Sequence, residues 1–177
     1  MKKTIAYWQT VGFIFTAVVG TALHFLYDLA GGGLTALFSA VNESIWEHIK
    51  LLYYPMILFA LVEYRFWGRQ AESFWCVKLA GILLGVVLIP VLYYTYTGAL
   101  GVEADWFNIT IFFLVAGLTY WVENKLFQRE YSCRNVPLAI AGLAFLGVAF
   151  MVLTFVPIRI PLFQDPVTGT YGFWQGK

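Results

Sequence analysis

Charged residues are scarce in this sequence. Asp, Glu, Lys and Arg together make up 12% of its 177 residues, whereas about a quarter of the residues of a soluble domain are charged. Hydrophobic residues make up 60%, and the mean hydropathy is +0.74. The composition therefore excludes an ordinary soluble domain and predicts an integral membrane protein. The formal net charge is +1, and no basic run marks a nucleic-acid-binding surface.

Long apolar runs take the place of the missing charges. A helix needs about 20 predominantly apolar residues to cross the core of a bilayer, and five stretches reach that length. We therefore predict an all-α fold, a polytopic bundle of five transmembrane helices in a single domain, 1–177. The expected spans are about 4–28, 44–67, 76–98, 105–127 and 136–157, followed by a tail over 158–177.

Basic residues are divided unevenly between the two sides of these spans. Eight share the side of the N-terminus: Lys2, Lys3, Arg65, Arg69, Lys78, Lys125, Arg129 and Arg134. Three fall on the other side: Lys50, Arg159 and Lys177. Because Lys and Arg are enriched in cytoplasmic loops, we expect a cell-membrane protein with its N-terminus in the cytoplasm and its C-terminus outside. Lys2-Lys3 is also typical of a signal peptide, but the apolar run is long and ends in His24 and Asp28.

Cysteine is nearly absent. Cys76 and Cys133 are the only two, and both fall on the expected cytoplasmic side, where thiols stay reduced. We therefore expect no disulfide and no thiolate metal ligand.

One stretch is dense in ionisable groups, Asn42-Glu43-Ser44-Ile45-Trp46-Glu47-His48-Ile49-Lys50. Ser44 followed by Glu47 matches the capping box, in which each side chain accepts a backbone N–H of the first helical turn. Glu43, Glu47 and Lys50 would then share one face, with His48 about 100° away from Glu47. Either these groups cap and staple a helix, or they form a ligand or acid–base site.

Small and polar residues recur at every fourth position of the first span, at Gly12, Thr16, Gly20, His24 and Asp28. Small residues on one face let another helix approach closely in a membrane. Gly81 and Gly85 form a similar pair in the third span. We therefore consider a homo-oligomer that packs through the glycine faces of these two helices.

A short loop after Gly31-Gly32-Gly33 would bring the end of the first span close to the second. The candidate metal ligands at this expected outer site are His24, Asp28, Glu47 and His48. The candidate ligand-binding residues are Asn42, Glu43, Ser44, Lys50, Tyr54 and Asp165. Two imidazoles with carboxylates suit zinc, or manganese if oxygen ligands dominate; otherwise no cofactor is expected. The spacing is not specific, because adjacent Glu47 and His48 cannot both face one ion from a regular helix.

The segment after the last span has too many prolines for a helix, with Pro157, Pro161 and Pro166, and is expected to be extended. Its aromatic residues Tyr171, Phe173 and Trp174 are unlike the composition of a disordered tail. We expect this tail to pack on the outer face of the bundle, either as a lid over the ionisable cluster or as an interfacial anchor.

The run from His24 to Tyr64, with N-E-S-I-W-E-H-I-K, and the tail P-L-F-Q-D-P-V-T-G-T-Y-G resemble a family of small bacterial membrane proteins known only as a domain of unknown function. That resemblance covers most of the chain and implies no activity. Ile45-Trp46 and His48 are also faintly similar to the E-x-x-N-I-W-T-H motif of the progestin and adipoQ receptors and related ceramidase-like hydrolases. The later H-x-x-x-H of that group is absent, so its zinc site does not carry over intact.

Three functions stay open at this point. The first is an outward-facing His/Glu/Asp site that binds a divalent cation or a small polar ligand, with transport as an extension. The second is a metal-dependent membrane hydrolase of a lipid-like substrate, with Glu47 as the catalytic base. The third is a structural or partner subunit without chemistry. In each case the lipid bilayer is the expected partner.

Overall fold

Five long helices and one short helix form the fold. The computed structural model describes residues 2–129, 132–133 and 135–173. The helices are α1 (Lys2–Ala30), α2 (Gly33–Phe38), α3 (Ile45–Phe66), α4 (Phe74–Leu100), α5 (Asp105–Gln128) and α6 (Val136–Phe155). All but α2 are long and apolar enough to cross a membrane. The all-α class is confirmed for the described residues, and each long helix begins and ends within two residues of the expected position.

The start of α3 forms only half of the expected capping box. Ser44 Oγ accepts the backbone N–H of Glu47 at 3.4 Å. The reverse bond from Ser44 N to the Glu47 carboxylate is replaced by one to Asn42 Oδ1 at 2.9 Å. The Glu47 carboxylate instead contacts the ammonium of Lys50, because an opposite charge one turn away attracts it more strongly than a neutral amide.

The centre of the bundle is α3. It packs against α1, α4 and α6, and its buried face carries Ile49, Leu52 and Met56. These side chains meet Ile82 of α4 and Phe150 of α6 in one apolar core. A helix that is buried on several sides can place polar side chains away from lipid, and α3 does so at both of its ends.

The glycine faces are filled within the chain. A Cβ at Gly12 would lie 2.5 Å from the Tyr120 ring and 2.8 Å from the Phe59 ring, and one at Gly85 would lie 2.3 Å from Leu52. Close approach of a neighbouring helix is therefore the role of these glycines, as the spacing predicts. At both positions the neighbour belongs to the same chain.

The tail packs across the end of the bundle at which α1 ends and α3 begins, and we call this end of the bundle the tail end. Phe173 N donates to the Thr154 carbonyl at 2.6 Å, and Asn42 Nδ2 donates to the Gly172 carbonyl at 3.2 Å. The expected packed tail is therefore confirmed, although it is not extended throughout. It contains a 3₁₀ turn over Pro161–Phe163 and a turn closed by the bridge between Gln164 and Tyr171. Trp174 and residues 175–177 lie outside the described residues.

The two cysteines form a disulfide, so the expectation of free thiols is wrong. Cys76 lies in the first turn of α4, and the connection between α5 and α6 brings Cys133 to it, with the Cα atoms 6.1 Å apart. That separation is within the range of disulfides. The expected spans already placed both cysteines on one side of the bundle, but their contact could not be predicted, because they are 57 positions apart in the chain.

Candidate functional site

Three side chains with metal-ligating atoms converge at the tail end of the bundle. His24 comes from the last turns of α1, Glu43 from the loop before α3, and His48 from the first turn of α3. Glu43 Oε2 lies 3.4 Å from His48 Nε2 and 3.7 Å from His24 Nε2. One ligand atom of each residue lies within 4.8 Å of the other two. We call this group the His–Glu cluster.

Hydrogen bonding fixes the orientation of one imidazole. His48 Nδ1 lies 2.9 Å from the Ser44 carbonyl oxygen, so its N–H donates there and Nε2 faces Glu43. A metal-ligating histidine usually donates its other N–H to such an acceptor. The side chain of His24, together with the charge of His48, lowers the pKa of Glu43. The carboxylate at the centre of the cluster is therefore ionised at neutral pH.

A cavity of about 620 Å³ adjoins the His–Glu cluster between α1, α3, α4 and α5. Its walls include the apolar side chains of Leu51, Ile89, Ile111 and Phe112, and Pro166 and Val167 of the tail also line it. The tail thus forms part of this site. A position over the ionisable cluster was one of the two roles expected for the tail, the other being an interfacial anchor.

Polar groups also line the wall of the cavity formed by α4, α5 and the loop between them. Tyr93 OH donates to Glu103 Oε1 at 2.8 Å, and Asn108 Nδ2 donates to the same oxygen at 3.3 Å. Asp105, at the start of α5, lines the same space. The cavity is therefore amphipathic, with apolar walls and two polar regions contributed by different helices.

The His–Glu cluster is not the expected metal set. Asp28 is exposed and takes no part in the cluster. Glu47 is 1% exposed and points away from the cluster towards Lys50, which agrees with the helical turn of about 100° between it and His48. Glu43, assigned to the ligand-binding residues from sequence, joins the two histidines in their place.

Glu47 and Lys50 belong to a separate buried group, which we call the Lys50 network. Lys50 Nζ lies 2.6 Å from Glu47 Oε2 and donates to Thr154 Oγ1 and to the Ala36 carbonyl, both at 2.9 Å. Thr154 Oγ1 also lies 2.8 Å from Glu47 Oε1. The network ties α2, α3 and α6 together. It leaves Glu47 no open side from which to act as a base on a substrate in the cavity.

The other expected ligand-binding residues have structural partners. Ser44 caps α3, and Asn42 binds the tail. Tyr54 OH donates to the Gly147 carbonyl at 3.0 Å. Asp165 Oδ1 accepts the backbone N–H of Val167 at 2.8 Å within the turn of the tail. Of the ligand-binding residues expected from sequence, Glu43 lines the cavity.

A third polar group lies near the opposite end of the bundle, and we call it the Lys78 cluster. Lys78 Nζ is 2.7 Å from Glu123 Oε2 and also forms an ion pair with Glu63. Gln9 Nε2 donates to Glu63 Oε1 at 2.8 Å. The sequence interpretation missed this group because it counted Lys78 among cytoplasmic charges, whereas the side chain is 1% exposed. The available signal was three ionisable residues inside expected spans.

These observations define a helical protein with five potential membrane spans and a His–Glu cluster beside an amphipathic cavity. The chain belongs to a family of unknown function, DUF6512, whose model matches residues 1–173. No curated protein and no solved structure matches the chain.

Proposed function

We propose that this protein binds a divalent transition-metal ion at the His–Glu cluster and a small polar or amphipathic molecule in the adjoining cavity. The observation that carries the proposal is the convergence of His24, Glu43 and His48, whose ligand atoms lie within 4.8 Å of one another. The cluster forms part of the cavity lining. An ion held there would contact both the protein and the cavity.

The donor set favours zinc. Two imidazole nitrogens and one carboxylate oxygen are a common set of zinc ligands, and sites that keep a position open for another molecule have three protein ligands. Manganese prefers mostly oxygen ligands, and two of the three donors here are nitrogen. The hydrogen bond from His48 Nδ1 to Ser44 supports this assignment, because it presents the other nitrogen as a ligand.

Charge supports a cationic occupant. Glu43, Glu103 and Asp105 line the cavity, and no Lys or Arg is among its lining residues in the described part of the chain. Carboxylates around a site with low-dielectric walls raise the local concentration of cations. The second ligand therefore has a cationic or hydrogen-bond-donating group for the polar wall, and an apolar part for the walls of α4 and α5.

The other two functions considered from sequence differ in their support. A metal-dependent hydrolase is favoured by the three-ligand arrangement, but it needs a base other than Glu47, because Glu47 is enclosed by Lys50 and Thr154. The structural role describes the Lys50 network well. The ionisable residues of the N-E-S-I-W-E-H-I-K motif thus have two different roles in this proposal. Glu43 and His48 bind the metal ion, whereas Glu47 and Lys50 stabilise the fold.

Zinc titration of the purified protein in detergent tests the proposal. We expect Glu43→Gln to weaken zinc binding by at least about 100-fold, because even the loss of an outer partner of a metal ligand costs 10- to 100-fold. The matched control is Glu103→Gln, which removes the same charge from the wall formed by α4 and α5 and should leave the zinc affinity almost unchanged. Equal losses in both variants would point to a diffuse electrostatic effect and contradict direct ligation.

We further propose that the tail end lies outside the cell and the N-terminus inside. The excess of Lys and Arg at the opposite end supports this orientation. The disulfide at that same end argues against it, because disulfides persist mainly in oxidising compartments. We give the charge asymmetry more weight, because it rests on many Lys and Arg residues, whereas the disulfide is a single feature. We expect a membrane-impermeant thiol reagent to label an Ala104→Cys variant in intact cells and not a Gln70→Cys variant, whose position is exposed in the connection between α3 and α4. Labelling of the second variant and not of the first would show the opposite orientation and contradict this proposal.

A further inference from the structure

The Lys78 cluster has an excess of one negative charge in a position without access to water. Glu63, Lys78 and Glu123 are each no more than 1% exposed, and they come from three helices, α3, α4 and α5. Two ionised carboxylates and one ammonium leave a net charge of −1. Burying an unpaired charge costs several kcal/mol or more, so a buried group usually becomes neutral instead.

Three oxygens of this cluster have no hydrogen-bond partner among the described residues, and one of them, Glu63 Oε2, is in the ion pair with Lys78. Glu123 Oε1 and Gln9 Oε1 are both fully enclosed and unpaired, and the two residues are 0% and 3% exposed. A buried acceptor without a donor is costly. A proton placed on a carboxyl oxygen would supply a donor and at the same time remove the excess charge.

From these observations we propose that the Lys78 cluster is a proton-binding site in which Glu63 and Glu123 share one exchangeable proton. Lys78 Nζ contacts both carboxylates and stabilises whichever one is ionised. The ligand is a proton rather than a metal cation, because the ammonium already occupies the position between the two carboxylates and would repel a second cation.

Gln9 fits both protonation states. Its Nε2 donates to Glu63 Oε1 at 2.8 Å, which suits an ionised Glu63. After rotation of the amide by 180°, its oxygen would accept a hydrogen bond from a protonated Glu63, since an amide offers a donor and an acceptor at similar positions. A side chain that satisfies both states lowers the cost of moving the proton between the two carboxyl groups.

Among the residues that the structure describes, the remaining groups around the cluster carry no charge that would cancel the excess. The rings of Phe74, Tyr120 and Phe127 lie 5.4–5.8 Å from Lys78 Nζ. Trp67 has its indole N–H nearby without a hydrogen-bond partner. The hydroxyl of Tyr120 bonds to Thr16 at 2.8 Å, one helical turn from Gly20 in the cavity wall. None of these neighbours therefore neutralises the excess negative charge.

Infrared spectroscopy of the full chain in lipid vesicles tests the proton site. At neutral pH we expect the carbonyl stretch of one protonated carboxyl group, which disappears in Glu63→Gln and in Glu123→Gln, because each variant leaves Lys78 paired with a single carboxylate. The matched control is Glu47→Gln, which alters the buried pair with Lys50, where the charges already balance, and should retain the band.

Two outcomes would overturn the proposal. The first is the absence of a protonated-carboxyl band in the wild type, or its persistence in both Gln variants. The second is loss of the wild-type band on adding sodium chloride at constant pH, which would identify a metal cation as the ligand. The wild-type spectrum and the salt titration need no variant, so a failure of either variant to fold leaves the test decisive. Zinc binding at the other end of the bundle is measured separately and does not depend on this result.

Discussion

A His24→Ala/His48→Ala double variant is expected to purify without zinc, whereas the wild-type protein is expected to retain it. Elemental analysis in detergent should give close to one zinc per wild-type chain and none above background for the variant. The reason is that Glu43 alone would remain of the three ligands, and a single carboxylate does not hold zinc against water at micromolar concentrations. The effect on metal content should therefore be complete rather than partial.

Asp28→Asn is the control for this experiment. Asp28 lies one turn from His24 on the same helix and was itself expected to be a ligand, but it is exposed and outside the cluster. It should retain the full amount of zinc. Loss of metal in Asp28→Asn, or zinc retained by a double variant that elutes as a monodisperse, helical protein, would contradict the assignment of the ligands.

A Lys50→Met variant should lose about 3–5 kcal/mol of unfolding free energy, as is typical when one partner of a buried ion pair is removed. Lys50 is 0% exposed and its ammonium contacts Glu47, Thr154 and the Ala36 carbonyl. Methionine fills a similar volume, so the loss comes from the unpaired Glu47 carboxylate and not from a cavity. Unfolding in mixed detergent, followed by circular dichroism, measures the change.

Two further variants separate the ion pair from other effects. Lys50→Met combined with Glu47→Gln should recover part of the loss, because no buried charge is then left unpaired. Lys125→Met removes an exposed lysine from α5 and should change stability by less than about 0.5 kcal/mol. A Lys50→Met protein as stable as the wild type would instead reopen a chemical role for Glu47.

The number, type and limits of the long helices could be predicted from the sequence. Span length is fixed by the thickness of the bilayer, and the charged and polar residues that end each span are visible in the sequence. Ser44 as a helix cap could be predicted for the same local reason, since its bond reaches only to Glu47. The glycine spacing at Gly12 correctly indicated close helix packing, although it did not identify the partner.

The division of the ionisable residues into three separate groups was decided by the tertiary structure. Glu43 and Glu47 are four residues apart, yet one contacts two histidines and the other contacts Lys50 and Thr154. Which of them faces the cavity depends on where α1 and α6 pack against α3. The spacing of residues along the sequence does not specify how the helices pack.

The sequence by itself determined that this chain is a helical membrane protein, where its helices lie, and that His24 and His48 stand out in an apolar background. The tertiary structure decided that Glu43 completes their cluster, that Cys133 meets Cys76, and that Lys78 joins Glu63 and Glu123. The physical reason is the range of the interactions. Hydrophobicity and capping act over one helix, whereas a buried charge takes its partner from whichever helix packs beside it.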